Sequence, residues 1–245
     1  MFFDPCDSVG ERIATFGLYE ADDLAAIRSF LTAHPPAGRI AVDVGANIGN
    51  HTLALHDLFE RVISVEPNPL ALHLLRANLL YNDITNVHIL PIAAAETAGE
   101  HAMAVNHDGN LGASFLADDG DIVVQTARLD DVVPPLLSES ERIGFMKLDI
   151  EGFELPALAG AAKLLQRDRP IVAFEAQNGA LSGVVAYLRR NGYGRFLEMQ
   201  YDGWTREQTF VRRVAGLLSR GPGFRLVPLR EDVHAFRALV LAIAD

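Results

Sequence analysis

Asp43, Gly45 and Gly49 fall in the run Val42-Asp43-Val44-Gly45-Ala46-Asn47-Ile48-Gly49, directly after the apolar residues Ile40 and Ala41. An acid and two glycines at this spacing suit a chain that must end a buried strand and wrap a ligand before entering a helix near Asn50. Glycine at both ends of the turn lets the backbone bend tightly and approach a ligand with no Cβ in the way. A dinucleotide fingerprint would read G-x-G-x-x-G and seat a pyrophosphate on the helix N-terminus. Here the pattern is D-x-G-x-x-x-G, and a phosphate would meet the Asp43 carboxylate. A phosphate-free, nucleoside-bearing cofactor with a positive amine fits better, and S-adenosylmethionine is such a molecule. A glycine turn of this kind also serves simply to join a strand to a helix, so the residues that follow carry the weight.

A second apolar run over 62–65 ends in Glu66, ahead of Pro67-Asn68-Pro69. In a doubly wound sheet an acid at that strand end can accept both ribose hydroxyls. The plainer role is a capping or solvated acid that opens a helix over 70–79. The spacing to the glycine turn favours the ribose.

With these two runs and a third, Lys147-Leu148-Asp149-Ile150-Glu151-Gly152-Phe153-Glu154, the chain closely resembles the FkbM family of S-adenosylmethionine-dependent methyltransferases. Many class I methyltransferases share a version of the first two motifs, whereas the acid-rich D-x-E-G-x-E segment is the discriminating one. The resemblance spans roughly residues 40–178 and fades in the last quarter. It implies methylation of a hydroxyl on a small molecule, natural product or sugar. Asn110-Leu111-Gly112-Ala113-Ser114 resembles an N-x-G-x-S element of the family, in which Asn110 and Ser114 could hydrogen-bond the acceptor or close over the cofactor. A simple turn would look the same. Gly17-Leu18-Tyr19-Glu20 also resembles the family's pattern ahead of an N-terminal helix, where Tyr19 either covers the cofactor or packs under that helix.

Methyl transfer from a sulfonium is an in-line displacement, so the protein must align donor and acceptor and, for a hydroxyl, receive a proton. Asp149, Glu151, Glu154 and Glu175 concentrate acids around two strand ends. Asp149 is expected to face the methyl-transfer centre, with Glu175 lining the same pocket and Glu151 near the acceptor. Glu151 and Glu154 could equally be first-turn acids interacting with a helix dipole. His51, just after the glycine turn, is a candidate base because histidine titrates near neutral pH, and His107 is a weaker one. A histidine in a polar loop is more often only surface. Lys147, inside an apolar strand, must find a carboxylate if buried, and is read as orienting the acids. Two or three clustered carboxylates could instead hold a divalent cation such as Mg²⁺ through oxygen ligands; spacing leaves this open, and no metal ligand is assigned. For the cofactor, Asp43, Gly45, Ala46, Asn47 and Gly49 are expected around the methionine end and Glu66, Pro67 and Asn68 around the ribose. Ala93 is small enough for an adenine ring to lie against it, and Asp149 lies near the reacting region.

These residues need a scaffold that brings strand ends together. Alternating strands over 40–44, 62–65, 87–92, 145–150 and 171–174 with helices over 70–79, 156–166 and 181–191 predict an α/β, doubly wound, Rossmann-like fold, and the resemblance implies that it is the class I methyltransferase fold. A further strand near 195–199 and the apolar run 238–243 should complete a mostly parallel seven-stranded sheet with an antiparallel edge. A helix over 20–31, broken by His34-Pro35-Pro36, marks an N-terminal helical segment 1–37 ahead of a methyltransferase domain 38–245. The stretch 96–120 reads as irregular and too polar for core, with an extra strand at 122–126 and a short helix or turn over 129–137.

At 245 residues and 49% hydrophobic, the chain can bury a substantial core. The formal charge of −11 argues against a nucleic-acid partner and for a neutral or cationic small-molecule or glycan acceptor. One cysteine, Cys6, excludes an internal disulfide. The N-terminus lacks the regions of a signal peptide and no apolar run reaches membrane-spanning length, which makes the cytoplasm the expected location. Oligomeric state is open. Two alternatives stand beside the O-methyltransferase: an N-methyltransferase acting on a small amine, and a non-catalytic cofactor-binding scaffold. A nicotinamide oxidoreductase is disfavoured by the missing third glycine.

Overall fold

The computed structural model describes residues 1–5, 8–17, 19–104, 115–116, 120–150, 152–176, 180–201, 224–230 and 237–245. Helices α1 (Ser8–Phe16) and α2 (Ala21–Ala33) precede β1 (Ile40–Val44), α3 (Asn50–Leu55), β2 (Arg61–Val65), α4 (Pro69–Tyr81) and β3 (Val87–Leu90). Four strands follow: β4 (Ala93–Ala94), β5 (Gly99–Ala104), β6 (Phe115–Leu116) and β7 (Ile122–Ala127). Then come α5 (Leu129–Val132), β8 (Ile143–Leu148), α6 (Glu154–Ala159), α7 (Ala162–Asp168), β9 (Ile171–Ala176) and α8 (Ala180–Arg190). The last strands are β10 (Tyr193–Tyr201), β11 (Phe224–Pro228) and β12 (Arg237–Ala244).

The main sheet has the order β11-β10-β12-β9-β8-β1-β2-β3. The run from β9 to β3 is parallel, and β12, β10 and β11 add an antiparallel edge. This is the doubly wound architecture expected, with eight strands where seven were predicted, since the chain forms β11 between β10 and β12. β1 and β8 are buried throughout, as strands covered on both faces must be. Side chains alternate across the sheet. Val42, Val44, Met146 and Leu148 enter the core built with α6, α7 and α8. Ala41, Val62, Phe145 and Ala173 enter the core built with Ile27, Phe30 and Leu31 of α2.

Register sets the site. Val44 pairs with Val65 and Leu148, and Leu148 pairs with Phe174. Gly45, Glu66, Asp149 and Glu175 are therefore each the first residue past one common row at the carboxyl edge. Asp43 pairs with Ser64 on one side and Lys147 on the other, on the face that carries Ala41 and α2.

Three further departures from the sequence reading have clear causes. The stretch 96–120 contains strands β5 and β6, which with β4 and β7 make a separate four-stranded sheet. Met103 there is 4% exposed and packs with Ala93 and Val124, while its neighbours face outward, so the strand reads as polar. The third strand likewise ends at Leu90, because Ala93 and Ala94 leave the main sheet to pair with β7. The helix expected over 156–166 is two. Gly160 lies so near β4's end that a Cβ on it would stand 2.0 Å from the Ala95 carbonyl oxygen. The Asp130 carboxylate then caps the second helix by accepting from the Lys163 and Leu164 N–H groups at 3.1 and 3.0 Å. Among the described residues, no helix is long and apolar enough to cross a membrane.

Candidate functional site

The β1 turn is built by its glycines. Gly45 has φ 79° and Gly49 φ 96°, and Asn47 between them also takes positive φ, at 48°. A Cβ on Gly45 would lie 2.0 Å from the Asp149 carbonyl oxygen. That glycine is required by the protein's own chain, which packs the ends of β1 and β8 against each other. The Gly45 and Ala46 N–H groups donate to Val65 O at 2.9 and 3.1 Å, so the turn is anchored to β2.

Asp43 is 2% exposed. Its Oδ2 accepts from Thr52 Oγ1 at 2.6 Å, and that hydroxyl lies 2.8 Å from Ser64 Oγ. Asp43 Oδ1 has no hydrogen-bond partner but stands 3.7 Å from Lys147 Nζ. Lys147 finds the carboxylates that burial demands: its Nζ is 3.1 Å from Asp149 Oδ2 and also donates to Gly45 O at 3.4 Å. Burial by itself would favour the neutral amine, but Asp149, Asp43 and Glu20 together push the Lys147 pKa above its ordinary value. Burial likewise opposes ionisation of Asp149, yet Lys147 and a side-chain hydrogen bond with Glu175 outweigh it and hold the Asp149 carboxyl below its ordinary range. That hydrogen bond makes Asp149 and Glu175 neighbours at the ends of β8 and β9.

Glu66 is 6% exposed. Its Oε2 accepts from Asn47 N and its Oε1 from Asn68 N, both at 2.8 Å, which ties the β1 turn to the β2 turn. Burial raises its pKa to about 7 against the pull of those two N–H groups. The helix cap considered for Glu66 belongs instead to Asn68, whose Oδ1 accepts from Leu70 N at 3.0 Å with Pro69 at the first helical position. The Oδ1 atoms of Asn47 and Asn50 are buried without a hydrogen-bond partner.

His51 is buried, not at a solvent-facing mouth, with Nε2 3.7 Å from Glu20 Oε2. Burial first, and Lys147 second, lower its pKa to about 4, so the ring is neutral. Glu20, named in the sequence only as part of the Gly17-Leu18-Tyr19-Glu20 pattern and given no role, enters the same cluster from the start of α2. Burial and the Asp149 charge raise its pKa to about 7. Burial and the Glu20 charge also push the Tyr19 hydroxyl above its ordinary value, and the Tyr19 carbonyl accepts from Asn50 Nδ2 at 2.9 Å. Thr52 and Ser64 were missed too. The signal for Ser64 was available in strand alternation, which places it beside Asp43.

Glu154 is 3% exposed and its Oε1 accepts from the N–H groups of Ile150 and Gly152 at 3.3 and 3.2 Å. It holds the turn after β8 as the first residue of α6, close to the helix-opening role considered for it. Ala93 is buried in β4, paired with Thr126 in the smaller sheet. Pro67 is half-buried between Glu66 and Asn68. Asn110, Ser114, Glu151 and His107 lie outside the described residues. Among the described residues no group of three or more His, Cys, Asp or Glu side chains is arranged to hold a metal ion, so the cation considered above gains no support here.

The family model described as "Methyltransferase FkbM domain" matches residues 43–194, more than half of the chain. Among solved structures, the chain is similar to a methyltransferase FkbM from Methylobacillus flagellatus KT at 20% identity and a TM-score of 0.52. That alignment covers 84% of this chain and 43% of the other, so the chain spans less than half the length of that relative. It is also similar to a precorrin-6y C5,15-methyltransferase from Geobacter metallireducens GS-15, at 16% identity and a TM-score of 0.50, covering 98% of this chain and 100% of that one. At these identities the likeness speaks for the fold. No curated protein sequence matches the chain significantly.

Proposed function

The chain belongs to the FkbM methyltransferase family, and from that premise we propose that it is an S-adenosylmethionine-dependent methyltransferase acting on a hydroxyl of a small molecule or glycan. The observation that carries the reading is the meeting of the glycine turn with the Asp43–Lys147–Asp149–Glu175 cluster at one sheet edge. The residues fit the cofactor. Asp43 Oδ1 and Asn47 Oδ1 are buried acceptors without donors, and a ligand that brings an ammonium group and hydroxyls supplies what such atoms lack. Each Glu66 oxygen accepts a single backbone N–H, which leaves lone pairs for ribose hydroxyls.

When bound, the cofactor supplies an electrophilic methyl group on a positively charged sulfur. Asp43 and Asn47 would hold its amino-acid end, and Glu66 its ribose. Asp149, kept ionised by Lys147, would stand beside the reacting region and complement its positive charge. Asp149 and Glu175 would line the acceptor's side of the reacting region and help set its oxygen in line with the carbon–sulfur bond. His51, neutral and enclosed, would shape the same wall.

Titration calorimetry with S-adenosylmethionine and S-adenosylhomocysteine tests the cofactor. Micromolar binding lost in Asp43→Ala and Glu66→Ala is the expected result, and no binding by the wild-type protein would remove the reading in favour of a scaffold. Hydroxyl transfer is separated from amine transfer by the pH profile: an enzyme group should govern the rate for a hydroxyl, and the acceptor's own deprotonation for an amine.

A further inference from the structure

Glu20 is held in an unusual way. Its backbone is left-handed, with φ 52° and ψ 39°, a region that residues with a Cβ rarely adopt. It occupies the N-cap of α2 yet its side chain makes no capping hydrogen bond. The carboxylate turns instead into the carboxyl-edge cluster, where it hydrogen-bonds the Tyr19 side chain and lies 3.7 Å from His51 Nε2. Strained backbone that yields no local gain is a mark of a functional position.

Resting on the methyltransferase reading above, we propose that Glu20 is the proton acceptor of the reaction, taking the proton of the acceptor hydroxyl as the methyl group is transferred. The other candidates in the cluster are poorly suited. Asp149 is locked as an anion by Lys147 at 3.1 Å, and such a carboxylate has little affinity for a proton. His51 is buried beside the same ammonium, with its pKa lowered to about 4. Burial, Asp149 and Asp23 favour the protonated form of Glu20, against the pull of Lys147 and of the hydrogen bond with the Tyr19 side chain. The charged and titratable groups facing it are Asp149 and Lys147 from β8 and its end, His51 from α3, Asp23 from α2, and Tyr19 beside it. Behind Tyr19 stand Glu175 at the end of β9 and Arg12 of α1. The balance brings the Glu20 carboxyl to about 7, where a general base is most effective near neutral pH.

The step balances. As the acceptor oxygen forms its bond to the methyl carbon, the carbon–sulfur bond breaks with its electron pair passing to sulfur. The hydroxyl proton goes to a Glu20 oxygen, so the positive charge on sulfur and the negative charge on Glu20 are discharged together. A base supplied by the protein fits a neutral hydroxyl acceptor, since an amine can enter already deprotonated.

The test compares wild-type protein with Glu20→Gln and Glu20→Asp in three measurements. These are S-adenosylhomocysteine affinity by calorimetry, transfer of labelled methyl to a phenol, a catechol and a methyl hexoside between pH 5.5 and 9, and carbon-13 NMR titration of glutamate-labelled protein. Glu20→Gln should bind S-adenosylhomocysteine as tightly as wild type, lose kcat by about a hundredfold or more and lose the acid limb of the pH profile. Glu20→Asp should recover part of the rate and the limb. The resonance missing in Glu20→Gln should titrate near neutrality in the wild type. A Glu20→Gln enzyme with wild-type turnover and an unchanged limb overturns the proposal, as does a Glu20 resonance that titrates like an ordinary glutamate. A wild-type protein that binds the cofactor but methylates none of the probes, or does not bind it, brings down the underlying hydroxyl-transfer reading and the proposal with it.

Discussion

At the amino edge of the main sheet Arg61 and Glu141 pair with side chains 31% and 26% exposed, beside an open groove of about 640 Å³ lined by Thr85, Asn86, His88 and Ser138 among others. At the carboxyl edge Lys147 and Asp43 pair with side chains 7% and 3% exposed, and acids outnumber their cation. The backbone differs in the same sense. The positive-φ residues at the amino edge, Asp83 and Arg169, follow helices, and Arg169 is the left-handed C-cap of α7. Those at the carboxyl edge, Glu20 and Asn47, stand before helices, where the capping rules do not ask for that conformation. One edge obeys the local rules, and its charged side chains there are paired and partly exposed. The other breaks several of them at once, with surplus buried charge, acceptors without donors and strained turns, which is how a binding site differs from a scaffold surface.

Removing the cation at the carboxyl edge should expose the contrast most sharply. Lys147→Met leaves the buried Asp43 and the half-buried Asp149 with no counter-charge, and unfolding by urea at pH 7 should show a loss of about 3 kcal/mol. The deficit should shrink as pH falls into the carboxylate range and those groups take up protons.

Next in size is a pH effect at Glu66, whose pKa is raised to about 7 by burial. A raised carboxyl binds its proton more tightly in the folded state, so its contribution is fully present below the unfolded value and is lost as pH rises through about 7. Relative to Glu66→Gln, the wild-type protein without ligand should lose up to about 3 kcal/mol between pH 4.5 and 7. His51 works in the opposite sense over about pH 4 to 6.5, and comparing the two proteins cancels it. Parallel stability curves would show that Glu66 titrates normally.

Thr52→Val is a finer probe. It removes the hydroxyl that donates to Asp43 Oδ2 and meets Ser64, and should cost about 1–3 kcal/mol in thermal unfolding together with weaker S-adenosylhomocysteine binding. The smallest effect belongs to the amino edge. Glu141→Gln should leave thermal stability nearly unchanged, as expected for a solvent-screened surface pair, and S-adenosylhomocysteine affinity unaltered; a loss of affinity there would erase the distinction between the edges.

Much of the carboxyl edge could be read from residue order because each turn is local. The Gly45 and Gly49 turn, the Pro69 helix start and the apolar strands declare themselves within a few residues. Glu20 could not be read in this way, since nothing near it in sequence says that its side chain abandons the cap of α2 for His51. The break between α6 and α7 was equally hidden, because it depends on Ala95 and Asp130, distant residues that crowd Gly160 and cap the following helix. The second sheet escaped notice because only one face of β5 is buried.

Residue order alone names the glycine or acid that follows β1, β2, β8 and β9, and with them the family and the doubly wound fold. How the acids there divide their roles comes from packing: Asp149 held ionised by Lys147, Glu66 buried against two N–H groups, Asp43 tied to Thr52 and Ser64. Strand ends follow from short-range pattern, whereas the proton affinity of a carboxylate depends on burial and on charges within a few ångströms, which neighbouring strands in register bring together from far along the chain.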